Sequence, residues 1–586
     1  MKYVNHATKI FLATCLLFAI ILLFVNVTLR YFFKSAIFWA EETLRYLIVW
    51  ITFIGSSMCI REESHIAIDV LSNVLSRKGK CILKILLNVV GIIFGAILLI
   101  VSFKFIQKVY TTNQVSSTIG NMPMYVIYLC FPIGFALYTL QSLDKVRSLL
   151  KSVKKRKHTI MTSILFFFLF IMLALNLPVF MALIVSTATV LTCFTSITPG
   201  IILQRMFAGI DKFSLMAVPF FIFAANVMNQ GGLAPRILDF TNALVGHKRG
   251  GLAYTVVLTC MFLGAVSGSS PATVVAICSL MLPVMEQSGY SRGFSVGLIM
   301  AASSVAVIIP PSIGMIVYGT VTGTSIGELF LAGFFPGIIY GTAFMLYSAY
   351  YTRKHNVPLR PQATSEHRWN SFKSSGWALI IPILIIGSIY GGFCTPTESA
   401  GIVSVYAIFV SCFIYRELSF KELVNVAYES AIGTAQVMII LAGASVFSWL
   451  LTRLQIPATL AKVLNSVAQS QIMVLLVINI ILLISGMFLD PASIQTIMSP
   501  LFLPSAVQFG VHPVHLGIIM VVNGAIGMFT PPFGLNLFVA AGVTKISLSE
   551  LMKDVWIWIL ISFIALFLIT YIPQISMVLP DLLFKK

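Results

Sequence analysis

The stretch GAVSGSSPATVV, residues 264–275, decides the fold, because it returns as GMFLDPASIQ at residues 486–495. In the first copy an apolar run stops at three small residues, Gly268, Ser269 and Ser270, and in the second at Asp490, and each restarts at a proline, Pro271 or Pro491. Proline suits the first position of a helix, where its missing N–H removes no bond, and a Ser or Asp before it caps the helix. Ser270 and Asp490 are therefore expected as caps. A helix that halts and restarts in this way reads as the tip of a hairpin that enters the membrane and turns back.

The correspondence extends beyond the tips. Pro271 and Pro491 lie 220 residues apart, Gly297 and Gly517 also 220, Pro310 and Pro531 221, Glu328 and Glu550 222, Pro178 and Pro396 218, and Ala224 and Ala444 220. A shared long offset across six landmarks marks an internal duplication of the kind found in transporters. The repeats run over about 162–352 and 377–575. About five crossings plus a re-entrant pair in each would make the second copy inverted relative to the first. The basic loop 353–373 (Arg353, Lys354, Arg360, Arg368, Lys373) pulls the other way, since an odd count would take it off the cytoplasmic side.

A second pair of signals accompanies the tips. SSVAVIIPPSIG, Ser303 to Gly314, matches NGAIGMFTPPFG, Asn523 to Gly534. Two prolines inside an apolar span remove two N–H donors and free carbonyls one turn earlier. Irregular backbone at membrane depth persists where it is buried in protein or lines a wet cavity. Freed carbonyls and hydroxyls suit a hard cation such as Na⁺, while helix N-termini suit an anion. A single such break is as often a packed proline kink; two matched pairs in a duplicated frame point to a binding site. Asp490 has both readings, a helix cap and a group beside Na⁺.

Composition sets the surroundings. Hydrophobic residues make up 58% of the 586 residues and charged ones 10%, against about 25% charged in soluble domains. Lipid is therefore the solvent for most of the chain, in the form of helices, since alternating strand patterns are absent. The run Ile10 to Leu29 reads as a retained first span, because no small-residue cleavage site follows it. The net charge of +19 does not imply nucleic acid, because the Lys and Arg residues sit in short loops between apolar runs, as positive-inside bias requires. The densest cluster (Lys145, Arg147, Lys151, Lys154, Lys155, Arg156) reads as a cytoplasmic connector, either a topology signal or a contact to anionic lipid headgroups. The nine cysteines form no CxxC pair and read as small buried hydrophobes.

Residues 1–143 carry four apolar runs, 10–29, 44–60, 82–103 and 123–141, and read as a four-helix part. The basic connector covers 144–160 and the duplicated part 161–586. The first part has its own signature: Trp39, Glu41, Glu42, Arg45, Gly55, Arg61, His65 and Asp69. Glu41 and Arg45, four apart, are expected to pair on one helix face, with Trp39 as an interfacial anchor. Topology anchoring is the plainer reading of this cluster.

These parts, in this order, resemble the fused membrane subunits of tripartite ATP-independent periplasmic (TRAP) transporters. The small-subunit pattern Trp-x-Glu-Glu-x-x-Arg followed by Gly, Arg, His and Asp falls on the eight residues just named. The large-subunit hairpin tip is matched by SGSSPATV, and its other signatures by the double-proline spans and by TPTESA, Thr395 to Ala400. The resemblance implies an all-α, multi-pass protein of the bacterial inner membrane. It would be an elevator-type importer in which the first part and outer helices form a scaffold. Hairpins and broken spans would move together with an organic acid and Na⁺, and a periplasmic binding protein would deliver the acid. Because fused versions are often sialic acid systems, N-acetylneuraminate is the substrate to which it points first. Carried onto this chain, Na⁺ sites are expected where Ser267, Gly268 and Ser270 meet Pro310, and where Asp490 meets Gly524, Gly527 and Thr530. Substrate is expected near Ser269, Ser303, Ser304 and Asp490.

Three other functions compete. A stand-alone Na⁺/carboxylate symporter of the same architecture would not need residues 1–143. An intramembrane enzyme is disfavoured, since His-Glu-x-x-His does not occur and Gly-x-Ser-x-Gly occurs only at 289–293, 293–297 and 323–327, without the strand-to-helix turn that a nucleophile elbow needs. An ATP-driven permease would take its energy from a separate subunit, because no phosphate-binding loop of the Gly-x4-Gly-Lys-[Ser/Thr] type occurs here.

Overall fold

A computed structural model describes residues 2–61, 77–116, 118–149, 169, 172, 177–194, 197–454, 470–531 and 534–584. His65, Asp69, Pro532, most of the connector and most of 162–176 lie outside the described residues, and so does the side chain of Arg61. Among the described residues, nine helices are long and apolar enough to cross a membrane. Among the described residues, β-type pairing is confined to isolated bridges, one of them between Val115 and Pro123. The chain packs as two compact units, Met1–Pro219 with Leu423–Ile456, and Phe220–Glu422 with Pro457–Lys586.

In the first unit the four expected runs are helices: α1 (Lys2–Phe32), α2 (Ala40–Arg61), α3 (Arg77–Thr111), and a last span divided into α4 (Met124–Tyr128) and α5 (Cys130–Leu149). They are followed by α6 (Val179–Phe194), α7 (Gly200–Ile210) and the start of α8 (Ala217–Gln230). The helices α2 and α3 both pack on α5, with Phe53 and Phe131 edge to face at 4.7 Å. A later helix, Phe420–Arg453, belongs to this unit from Leu423 onward. Its Ala435 meets α2 at Gly55, where an ideal Cβ would lie 2.5 Å from the Ala435 Cβ. Glycine at residue 55 therefore permits the close approach of the two helices.

The second unit holds α9 (Leu233–Val245), α10 (Gly251–Ser267), α11 (Ser270–Gln287), α12 (Arg292–Ser304), α13 (Ile313–Thr322) and α14 (Ile326–Lys354). Next come α15 (Ser365–Tyr390) and α16 (Pro396–Phe409), and the Phe420–Arg453 helix is α17. The unit closes with α18 (Gln471–Gly486), α19 (Pro491–Gln508), α20 (Pro513–Gly527), α21 (Leu535–Thr544), α22 (Leu548–Asp554), α23 (Trp556–Tyr571) and α24 (Gln574–Phe584). The duplication is visible in the helix starts. Residues 251, 270, 292 and 313 open α10 to α13, while 471, 491, 513 and 535 open α18 to α21, offsets of 220, 221, 221 and 222.

Packing follows the same frame and adds an exchange. Both arms of each hairpin, α10 and α11 or α18 and α19, pack on the first half of their own broken span, α12 or α20. The second halves cross over: α13 packs on α19, and α21 packs on α11. Each broken span thus serves the hairpins of both repeats.

Candidate functional site

At the first tip α10 ends at Ser267, Gly268 takes φ +56°, Ser269 is extended, and α11 begins at Ser270. A positive φ disfavours any residue with a Cβ, and a Cβ on Gly268 would stand 2.5 Å from the Pro311 carbonyl oxygen. The tip therefore rests directly on the double-proline break, whose Pro310–Pro311 bond is cis. Ser267 Oγ accepts from the Ser269 N–H at 3.2 Å. Beyond the prolines, Ser312 caps α13, its hydroxyl accepting from the Met315 N–H and donating to the Val307 carbonyl at 2.6 Å.

At the second tip Asp490 caps α19. One carboxylate oxygen accepts from the N–H groups of Ala492 at 3.0 Å and Ser493 at 3.2 Å, and the other accepts from the Ser493 hydroxyl. A carboxylate offers about four lone-pair sites, so capping leaves room for a cation. The tip meets the second broken span on two glycines: Pro491 packs on Gly524, where a Cβ would lie 3.2 Å from the proline ring, and Gly486 packs on Gly527. Thr530 is buried and donates to the Ile526 carbonyl at 2.7 Å.

Two expectations need correction. Ser270 does not cap α11; the helix opens one residue earlier than expected, with Ser269 in the cap position and making no side-chain cap bond. The Ser270 hydroxyl is drawn away by Asn536, whose Nδ2 donates to Ser270 Oγ at 2.8 Å and to the Met300 carbonyl at 3.1 Å. Likewise Arg45 does not pair with Glu41. It reaches Asp211 at 2.9 Å, and Glu41 stays exposed. The adjacent Glu42 is buried and accepts from the hydroxyls of Tyr46, Ser116 (2.8 Å) and Thr118, fastening the 112–123 segment to α2.

Ser303 and Ser304 are fully buried at the end of α12. Ser304 Oγ donates to the Ala301 carbonyl at 2.7 Å, and Ser303 Oγ lies 3.7 Å from Cys260 Sγ. The structure thus brings Ser267, Gly268, Ser269 and Ser270 to the first break, and Asp490 to Gly524 and Gly527. Ser303 and Ser304 lie one turn past Met300. Sequence reasoning missed Asn536 and also Asn523, which donates to Asn479 Oδ1 at 2.7 Å while Asn479 donates to Thr570 at 3.2 Å. A lone amide inside an apolar helix was the available signal. The donors gathered at the two breaks are hydroxyls, carbonyls and one carboxylate, a hard oxygen set. Among the described residues no group of three or more His, Cys, Asp or Glu side chains is assembled to hold a metal.

Comparison with known proteins fits these two parts. The model of the "Tripartite ATP-independent periplasmic transporters, DctQ component" matches residues 19–152, and that of the "Tripartite ATP-independent periplasmic transporter, DctM component" matches residues 166–575. The chain belongs to the TRAP transporter family. Among similar TRAP proteins is the isethionate TRAP transporter permease protein DctMQ of Oleidesulfovibrio alaskensis, 34% identical over 93% of this chain and 88% of that protein. Another is the sialic acid TRAP transporter permease protein SiaT of Haemophilus influenzae, 30% identical over the full length of both. A third is the C4-dicarboxylate TRAP transporter large permease protein DctM of Rhodobacter capsulatus, 39% identical over 72% of this chain and all of that protein. The chain is thus a TRAP permease with both membrane components in one polypeptide, a multi-pass protein of the bacterial inner membrane.

Proposed function

We propose that this TRAP permease imports an organic acid by Na⁺ symport, taking it from a periplasmic substrate-binding protein. The observation that carries the reading is the pair of oxygen-rich breaks, each facing a hairpin tip within one compact unit. Na⁺ would bind as a co-substrate at the first break through groups of Ser267, Gly268, Ser270 and Pro310. A second ion would bind through Asp490, Gly524, Gly527 and Thr530. The acid would lie between the tips, near Ser269, Ser303, Ser304 and Asp490, with its charge met by bound Na⁺ and the opening turns of the helices. An elevator motion is supported by the grouping of both hairpins and both broken spans in Phe220–Glu422 with Pro457–Lys586.

N-acetylneuraminate is the first substrate to test. The isethionate and C4-dicarboxylate names of the relatives put those acids in the same panel. The test is uptake into proteoliposomes of each labelled acid, with its binding protein, under an inward Na⁺ gradient. Uptake that needs both Na⁺ and the binding protein is expected. Robust uptake with no binding protein would instead favour a stand-alone Na⁺/carboxylate symporter, and indifference to Na⁺ would end the symport reading.

A further inference from the structure

We propose that Asn536 is a positioning residue that couples the two Na⁺ sites; this rests on the Na⁺ reading above and adds the link between the ions. Asn536 is fully buried and touches three places at once. Its backbone N–H donates to the Met528 carbonyl at 2.7 Å, inside the second break. Its side-chain amide donates to Ser270 Oγ at 2.8 Å, at the first hairpin tip, and to the Met300 carbonyl at 3.1 Å, on the first half of the first broken span. The Met300 carbonyl accepts only, so it fixes which end of the amide is the nitrogen. Ser270 Oγ donates in turn to Asn536 Oδ1 at 3.2 Å.

A buried amide that loses its partners bears a large desolvation penalty. Ser270, Met300 and the Met528 turn are therefore tied to move together. An ion at the second break turns nearby carbonyls towards itself, and through Asn536 that reorientation reaches Ser270 at the first. A contiguous hydrogen-bonded path with two arrangements is the physical form such coupling takes. The opposite crossover, α13 on α19, opens with Ile313, Gly314 and Met315 and has no amide at that place. The coupling thus runs through Asn536, on one side of the exchange.

The test uses the full-length permease in nanodiscs, with Tm followed against NaCl at constant ionic strength balanced by choline chloride. Wild type should gain stability with Na⁺. Asn536→Ala should raise the Na⁺ concentration for half-maximal stabilisation by about tenfold, an ordinary coupling factor. Asn536→Ser, which keeps a polar group but cannot span to both partners, should do the same and covers the case in which alanine fails to fold. Asp490→Asn should shift the midpoint less in the Asn536→Ala background than in wild type, because the path to the first site is already cut. A residue that only packs would lower Tm equally in Na⁺ and choline and leave the midpoint unmoved, which overturns the inference. Full additivity with Asp490→Asn overturns it too. A wild-type Tm indifferent to Na⁺ defeats the Na⁺ reading itself and the coupling with it.

Discussion

Gly527 lies so close to Gly486 that a Cβ on Gly527 would stand 2.5 Å from the Gly486 carbonyl oxygen. The first repeat makes the matching contact between Gly264 and Ala306, where a Cβ on Gly264 would stand 2.5 Å from the Ala306 Cα. In both repeats the hairpin's entering arm touches the broken span backbone to backbone. Gly527→Ala is expected to destabilise the protein by about 1–3 kcal/mol, the usual cost of overpacking, because the obstructing atom is main chain and cannot rotate away. The readout is Tm in detergent together with uptake. A variant with wild-type values in both would count against the contact.

Asp490 holds two roles that one substitution separates. Asparagine caps helices about as well as aspartate but carries no charge. Asp490→Asn should keep Tm in choline chloride close to wild type while Na⁺-driven uptake is lost. Asp490→Ala should lose uptake and also about 1 kcal/mol of capping stability while remaining folded in membranes. If Asp490→Asn transports with unchanged Na⁺ dependence, the carboxylate is a cap and nothing more.

Gly268 combines a left-handed backbone with contact to the Pro311 carbonyl. The positive φ alone costs an L-residue roughly 1–2 kcal/mol, and the contact adds to that. Gly268→Ala should therefore reduce uptake strongly, through displacement of the tip from the double proline. Gly392, also at positive φ but with open space around it, serves as the control. Gly392→Ala should cost only the backbone term, and equal losses of uptake in the two variants would remove the contact from the explanation.

Glu42 gathers three hydroxyls on one buried carboxylate. Hydrogen bonds to a charged group are worth about 1.5–3 kcal/mol, so Glu42→Ala should loosen the 112–123 segment. Limited proteolysis reads this directly, with new cleavage expected in that segment in the variant. An unchanged digest and Tm would show that the segment is held by its other contacts.

What could be read from the sequence was its local punctuation. The prolines at 271, 310, 491 and 531, the small residues before them and the repeated spacing placed both hairpins and both broken spans, since each signal acts within one turn of backbone. Partners far along the chain were not legible. Ser270 looked like a cap because only its neighbours were in view, while its partner is 266 residues away. Arg45 looked paired with Glu41 for the same reason, yet its carboxylate partner lies 166 residues on. The crossover of α13 and α21 between repeats was also invisible, because apolar faces state that they are buried without stating against what.

The close approach of Gly55 to Ala435 bears on how such a protein can be encoded. The DctQ match ends at residue 152 and the DctM match begins at 166, yet a helix from deep within the second sits on a helix of the first. The two portions recognise each other through their surfaces, so the peptide bond between them is not what selects the partner. Expressed from two open reading frames divided in that interval, they should still find each other and co-purify in equal amounts. Fusion then serves to match their production one to one.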